Sequence, residues 1–260
     1  MRTLQKAIRE NNHNNLSVFF TAGFPRIDST GEILSILNDT EVNFIEIGIP
    51  FSDPLADGPV IQHSSTVALH NGMTLELLFS QLKAVKGKIT KPYLLMGYLN
   101  SLLAMGIEAF YSKCFESGVR HIIIPDLPIK EYLKEHKPFA DKSGVSPVFL
   151  ITPSTSEKRI HEIDGISNAF IYLVSGNTTT GNQSEMQTGS IINITAMKLK
   201  NPVIIGFGIN SRVDYLQACA LADGAIIGSA FISNISQSKN LKSDIPQFIN
   251  KIKTINLIGK

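Results

Sequence analysis

At 260 residues the chain can bury a sizeable core as one large α/β domain or two small ones, and 43% hydrophobic with 18% charged residues is ordinary for a globular protein. A net charge of +2 is too small to argue for nucleic acid or an anionic membrane surface. No apolar run approaches the ~20 residues of a membrane span, and the polar start MRTLQKAIRENNHNN lacks a signal-peptide core, which predicts a cytoplasmic protein.

Residues 3–11 predict a short amphipathic N-terminal helix, with Leu4, Ala7 and Ile8 on one side. Leu16–Ala22 reads as a strand stopped by Gly23 and Pro25, and Ser29–Leu37 as a helix. Phe44, Ile45 and Ile47 form a second strand around Glu46, ended by Gly48. After a proline-punctuated loop, Val60–Leu69 and Thr74–Val85 are helical pieces broken at Asn71-Gly72. Strand Tyr93–Met96, helix Ile107–Glu116 and strand His121–Ile124 follow, then helix Lys130–Lys142 and strand Val148–Ile151. Ser156–Ile163 is a short helix with Ser156 as its cap, and Ala169–Val174 a sixth strand. Ser175–Thr188 is polar and reads as a mobile loop. Helix Ile191–Leu199, strand Val203–Phe207, helix Arg212–Leu221 and the short strand Ala225–Ile227 complete the alternation. Ser233–Ser243 reads as an exposed polar linker, and Phe248–Ile255 lies in a closing helix. Cys114 and Cys219 both fall in helical segments and suggest reduced thiols, one disulfide being the alternative.

Eight apolar strands alternating with helices predict parallel strands joined by right-handed crossovers, and the length fits a single-domain (β/α)8 TIM barrel. A doubly wound sheet would place a glycine fingerprint after the first strand, and Ala22-Gly23-Phe24-Pro25 is not one.

In a barrel, chemistry collects at the C-terminal ends of the strands, here Glu46, Tyr98, Asp126, Thr152, Ser175, Gly208 and Gly228. No Lys among them supports a Schiff base, and His121 opens its strand at the opposite end. His63 and His70 lack companions in ligand register, so no metal is expected. Carboxylate acid–base chemistry remains, on a Glu46 set in an apolar run and followed by the acidic loop of Asp53 and Asp57. Pairing of Glu46 with a Lys inside the barrel is the structural alternative, as turn-making is for the two aspartates. Gly206-Phe207-Gly208 and Gly228-Ser229 lie at neighbouring strand ends, where backbone N–H groups could approach a phosphate. Phe19, Leu95, Tyr172 and Phe207 are candidate walls of an apolar pocket, against the plainer alternative of core.

The stretch EIGIPFSDPLADGPVIQ (46–62) resembles the signature of the tryptophan synthase alpha chain family, and VFFTAG, LLMGYLN, IPDLP, TTG, IGFG and IIGSA extend the resemblance over nearly the whole chain. The resemblance implies a TIM barrel that cleaves indole-3-glycerol phosphate, a phosphate ester, to indole and glyceraldehyde 3-phosphate. By the same resemblance Glu46 is the catalytic acid–base and Asp57 holds the indole N–H. Phe19, Tyr172, Thr180, Gly181, Phe207, Gly208, Gly228 and Ser229 bind the substrate, the positions 206–208, Gly228 and Ser229 on its phosphate side. It implies no cofactor in this chain, a beta subunit that carries pyridoxal phosphate, and an alpha2-beta2 heterotetramer with Asp53 and the Pro125–Pro128 turn towards the partner. Two departures stand out. Gly176 replaces an Arg usual in the sixth loop, and Asn210-Ser211-Arg212 replaces a Ser-Pro-Glu pattern, which bears on the start of a helix. Rival readings are a non-catalytic subunit that activates the beta chain and a different phosphate-binding barrel isomerase.

Overall fold

Among the described residues, nine short strands alternate with helices: β1 (Asn15–Thr21), β2 (Phe44–Gly48), β3 (Tyr93–Met96), β4 (His121–Ile123), β5 (Ser146–Pro147), β6 (Leu150–Ile151), β7 (Ile171–Val174), β8 (Val203–Gly206) and β9 (Gly224–Ile227). In the computed structural model, which describes residues 4–11, 14–174 and 181–254 (backbone only for 181–188), all pairs are parallel, in the order β5-β4-β3-β2-β1-β9-β8-β7-β6. The two end strands belong to one segment. Within it Val148 donates its N–H to the Ile122 carbonyl (2.8 Å) on one flank, and Phe149 accepts from the Tyr172 N–H (3.0 Å) on the other. That segment closes the sheet on itself, so the strands form the staves of a (β/α)8 barrel.

Strands β1, β2, β3, β8 and β9 are buried along their whole length, the reason they read as continuous apolar runs. The Phe44 ring meets Phe170 across the barrel, centroids 5.4 Å apart, so Phe44 points inward. Alternation then turns Glu46 and Gly48 inward as well, with Ile45 and Ile47 towards the helices. In β3 Leu94 pairs with Glu46 and Met96 with Gly48, which leaves Leu95, opposite Ile47, on the helix side.

Several expectations change. Helix Leu99–Met105 has no local start signal; its first N–H, on Leu99, is accepted by the Asp126 carboxylate (2.9 Å) from the loop after β4. The expected helix 130–142 is interrupted by a π-helical turn, Tyr132–His136, just before Pro138, which has no N–H to continue the ladder. Ser156 caps its helix by position without a side-chain hydrogen bond. The expected linker 233–243 is mostly helix: Ser229–Ser236 and Leu241–Lys253 enclose it, with Ile235 and Leu241 buried. The closing helix begins there, and Ile255 lies outside the described residues. Of the expected loop 175–188, residues 175–180 also lie outside them, and a helix, Gly181–Ala196, already starts at Gly181. Cys114 and Cys219 are free and buried in helices. No helix among the described residues is long and apolar enough to cross a membrane.

Candidate active site

Glu46 sits in the middle of β2 and is fully buried. Neither carboxylate oxygen has a hydrogen-bond partner among the described residues, so the structural alternative, an ion pair with a Lys inside the barrel, is absent there. A buried carboxyl with no donor favours its neutral form. Burial first, and the charge of Asp57 second, push the Glu46 pKa up to about 8.

Asp57 reaches the same cavity from the loop between β2 and helix Pro59–His70. Its peptide N–H is held by the Pro54 carbonyl (3.0 Å), and its carbonyl accepts from the Gln62 amide (2.9 Å). Its carboxyl accepts from the Tyr98 hydroxyl (3.2 Å). Burial raises the Asp57 pKa to about 6, against the lowering effect of that hydrogen bond. The environments thus separate two carboxyls: near neutral pH one is protonated and the other ionised, the arrangement acid–base catalysis requires.

The two carboxyls open into a cavity of about 270 Å³, roughly nine water volumes, which suits a small metabolite. Phe19, Tyr172 and Phe207 form walls, and Gly208, Gly228 and Ser229 line it as well. Two glycines outside the cavity make room for the aromatic walls. A Cβ at Gly48 would lie 2.4 Å from the Phe19 ring, and one at Gly206 would collide with the Tyr172 hydroxyl. Gly206 therefore makes room for Tyr172. Phe207, which lines the cavity, takes a left-handed backbone (φ 71°), as does Gly208 (φ 74°), a costly conformation for a side-chain-bearing residue.

Gly228 precedes helix Ser229–Ser236, and its carbonyl accepts the Ile232 N–H (3.0 Å) in the first turn. The N–H groups before it, on Ser229, Ala230 and Phe231, lie at the positive end of the helix dipole. A Cβ at Gly228 would find its nearest neighbours, Ile61 and Phe19, at 3.7 Å; both line the cavity. At the departure near 210, Ser211 caps helix Arg212–Leu221 in a capping box with Asp214, so the substituted pattern does set the helix start.

Leu95 does not line the cavity, for the strand-parity reason given above; Met96 does, together with Ile61, Ile209, Asn210 and Ile226. The period of two along β3 was the signal for Met96. Ile61 stands in the first turn of the helix that follows Asp57, a placement that no strand pattern reveals. Thr180 lies outside the described residues, and Gly181 opens the helix Gly181–Ala196. Among the described residues no group of three or more His, Cys, Asp and Glu comes together to hold a metal ion.

The sequence profile of the tryptophan synthase alpha chain family matches residues 5–256. The chain belongs to that family. A tryptophan synthase alpha chain of Flavobacterium psychrophilum is 50% identical over 240 residues, 91% of this chain and 94% of the relative. That of Christiangramia forsetii is 45% identical over 258 residues, 98% of this chain and the whole of the relative. Among solved structures, the tryptophan synthase alpha chain of Legionella pneumophila superposes with a TM-score of 0.87 at 28% identity, covering 97% of this chain and 96% of its own. Membership of the tryptophan synthase alpha chain family sets aside the isomerase reading.

Proposed function

We propose a residue-level course for the alpha reaction of tryptophan biosynthesis, the carbon–carbon lyase step that cleaves indole-3-glycerol phosphate to indole and glyceraldehyde 3-phosphate. Glu46, protonated at neutral pH, gives its proton to the indole ring carbon that bears the side chain. The ring nitrogen becomes positive, and the Asp57 carboxylate balances that charge through the N–H. Glu46, now ionised, takes the proton of the neighbouring glycerol hydroxyl. A carbonyl forms, the carbon–carbon bond breaks, and its electron pair restores the neutral ring. Glu46 ends as it began, so one residue serves as acid and base.

Phe19, Tyr172 and Phe207 hold the ring, while backbone N–H groups at Gly208, Gly228 and Ser229 receive the phosphate at the helix start, which needs no cation. Thr180 and Gly181 complete the site from the sixth loop. The chain works as one barrel domain in the cytoplasm, without a cofactor of its own. Its partner is a beta subunit carrying pyridoxal phosphate, in an alpha2-beta2 assembly. Asp53, the turn 125–128 and the strongly exposed Leu55 face that subunit.

The observation that carries the reading is the unpartnered Glu46 carboxyl converging with Asp57 on one small cavity. The test is indole release by the purified chain, alone and with beta subunit. Glu46→Gln should lower release by ~10²–10⁴-fold and leave binding of an analogue that lacks the hydroxyl intact. A near-normal rate in this variant refutes the assignment. Activation of the beta subunit without indole release by the wild type would instead establish the non-catalytic reading.

A further inference from the structure

Tyr98 follows β3 and is buried, its ring stacked on Phe51 with centroids 5.1 Å apart and planes 24° from parallel. Its hydroxyl makes two hydrogen bonds to successive residues of the loop after β2. It accepts from the Ala56 N–H (3.0 Å) and donates to the Asp57 carboxylate (3.2 Å). The phenol has one proton, and the Ala56 N–H can only donate, so the proton must go to Asp57. An ionised carboxylate accepts it; a carboxylic acid protonated at the same oxygen would confront it with a second proton. Tyr98 itself stays protonated, because burial, and then the charge of Asp57, hold its ionisation well above the usual range.

We propose that Tyr98 is a positioning residue for the alpha reaction: one hydroxyl clamps the acidic loop at Ala56 and holds Asp57 ionised and aimed into the cavity, while the stack on Phe51 fixes the ring that carries it. This rests on the role given to Asp57 above. The titratable groups that bear on the site are few and come from separate elements. Glu46 approaches from β2 and Tyr172 from β7, and Asp126, after β4, acts on Tyr98. Asp126 is itself engaged as the cap of the Leu99 N–H.

Tyr98→Phe keeps the ring and its stack and removes only the hydroxyl. With 13C-labelled aspartate, the carboxyl titration of Asp57 is read directly and needs no substrate. Its midpoint should move up by about one pH unit in the variant, the worth of one hydrogen bond to a charged group. The acid limb of the kcat/KM profile for indole release should move with it, and kcat should fall more than analogue affinity. Installing 3-fluorotyrosine at position 98, a stronger donor of the same shape, should shift the midpoint the other way. A midpoint that stays put in both variants overturns the proposal, as does a lowered thermal stability with no change in the pH profile. Lack of indole release by the wild type would count against the proposed function alone, since the titration stands independently of turnover.

Discussion

Glu46→Gln removes the proton shuttle, and its effect on stability relative to the wild type has a pH signature: a loss in acid that turns towards a gain as pH rises. In the folded chain the Glu46 pKa lies near 8, against 4.5 for the free side chain. Between those values the folded state holds a proton that the unfolded state releases. The Glu46 contribution to wild-type stability is therefore fully present below pH 4.5 and is lost as pH rises, by about 1.4 kcal/mol per pH unit, until the folded carboxyl ionises near pH 8. The cost is about 3 kcal/mol at pH 7 and about 5 kcal/mol above pH 8. Glutamine does not titrate. Its buried amide carries a penalty of its own, about 1–3 kcal/mol, but that penalty is the same at every pH. The raised pKa of Asp57 contributes to both chains and largely cancels in the comparison. Urea denaturation of wild type and variant from pH 5 to pH 9 gives the difference curve. It should climb with pH and flatten beyond pH 8. Parallel stability curves would show that Glu46 ionises in the folded chain as it does in water, and the burial argument would fail with them.

Four further outcomes follow from the same geometry. Indole release should depend on pH as a bell, rising as Asp57 ionises near pH 6 and falling as Glu46 loses its proton near pH 8. Asp57→Asn should lower turnover more than analogue affinity and, by removing the neighbouring charge, shift the carboxyl titration of Glu46 to lower pH; an unmoved titration would break the electrostatic link between them. Gly228→Ala adds a methyl whose nearest neighbours lie at 3.7 Å, at a residue of negative φ (−105°), so the protein should melt normally while inorganic phosphate inhibits less; unchanged inhibition would move the phosphate elsewhere. Gly48→Ala, by contrast, drives a methyl into the Phe19 ring and should destabilise the fold by about 1–3 kcal/mol in thermal or urea melts.

Local pattern was enough for the alternation of strands and helices, because strands buried on both faces must be apolar throughout and the turns between them need glycine and proline. It also singled out Glu46, since a carboxylate in such a run is costly to bury and is conspicuous for that reason. Tertiary structure decided what local pattern could not carry. Which strand residues face the cavity depended on one parity, set by Phe44 meeting Phe170 across the barrel; that parity removed Leu95 from the wall and put Met96 there. Helix Leu99–Met105 owes its cap to Asp126 from the loop after β4, and helices 229–236 and 241–253 owe their place to a few buried side chains in a polar stretch. The use of Gly206 to admit the Tyr172 hydroxyl, and of one Tyr98 hydroxyl to bridge Ala56 and Asp57, arises from residues far apart in the chain. Such contacts leave no periodic trace in sequence, because only closure of the barrel brings their elements together.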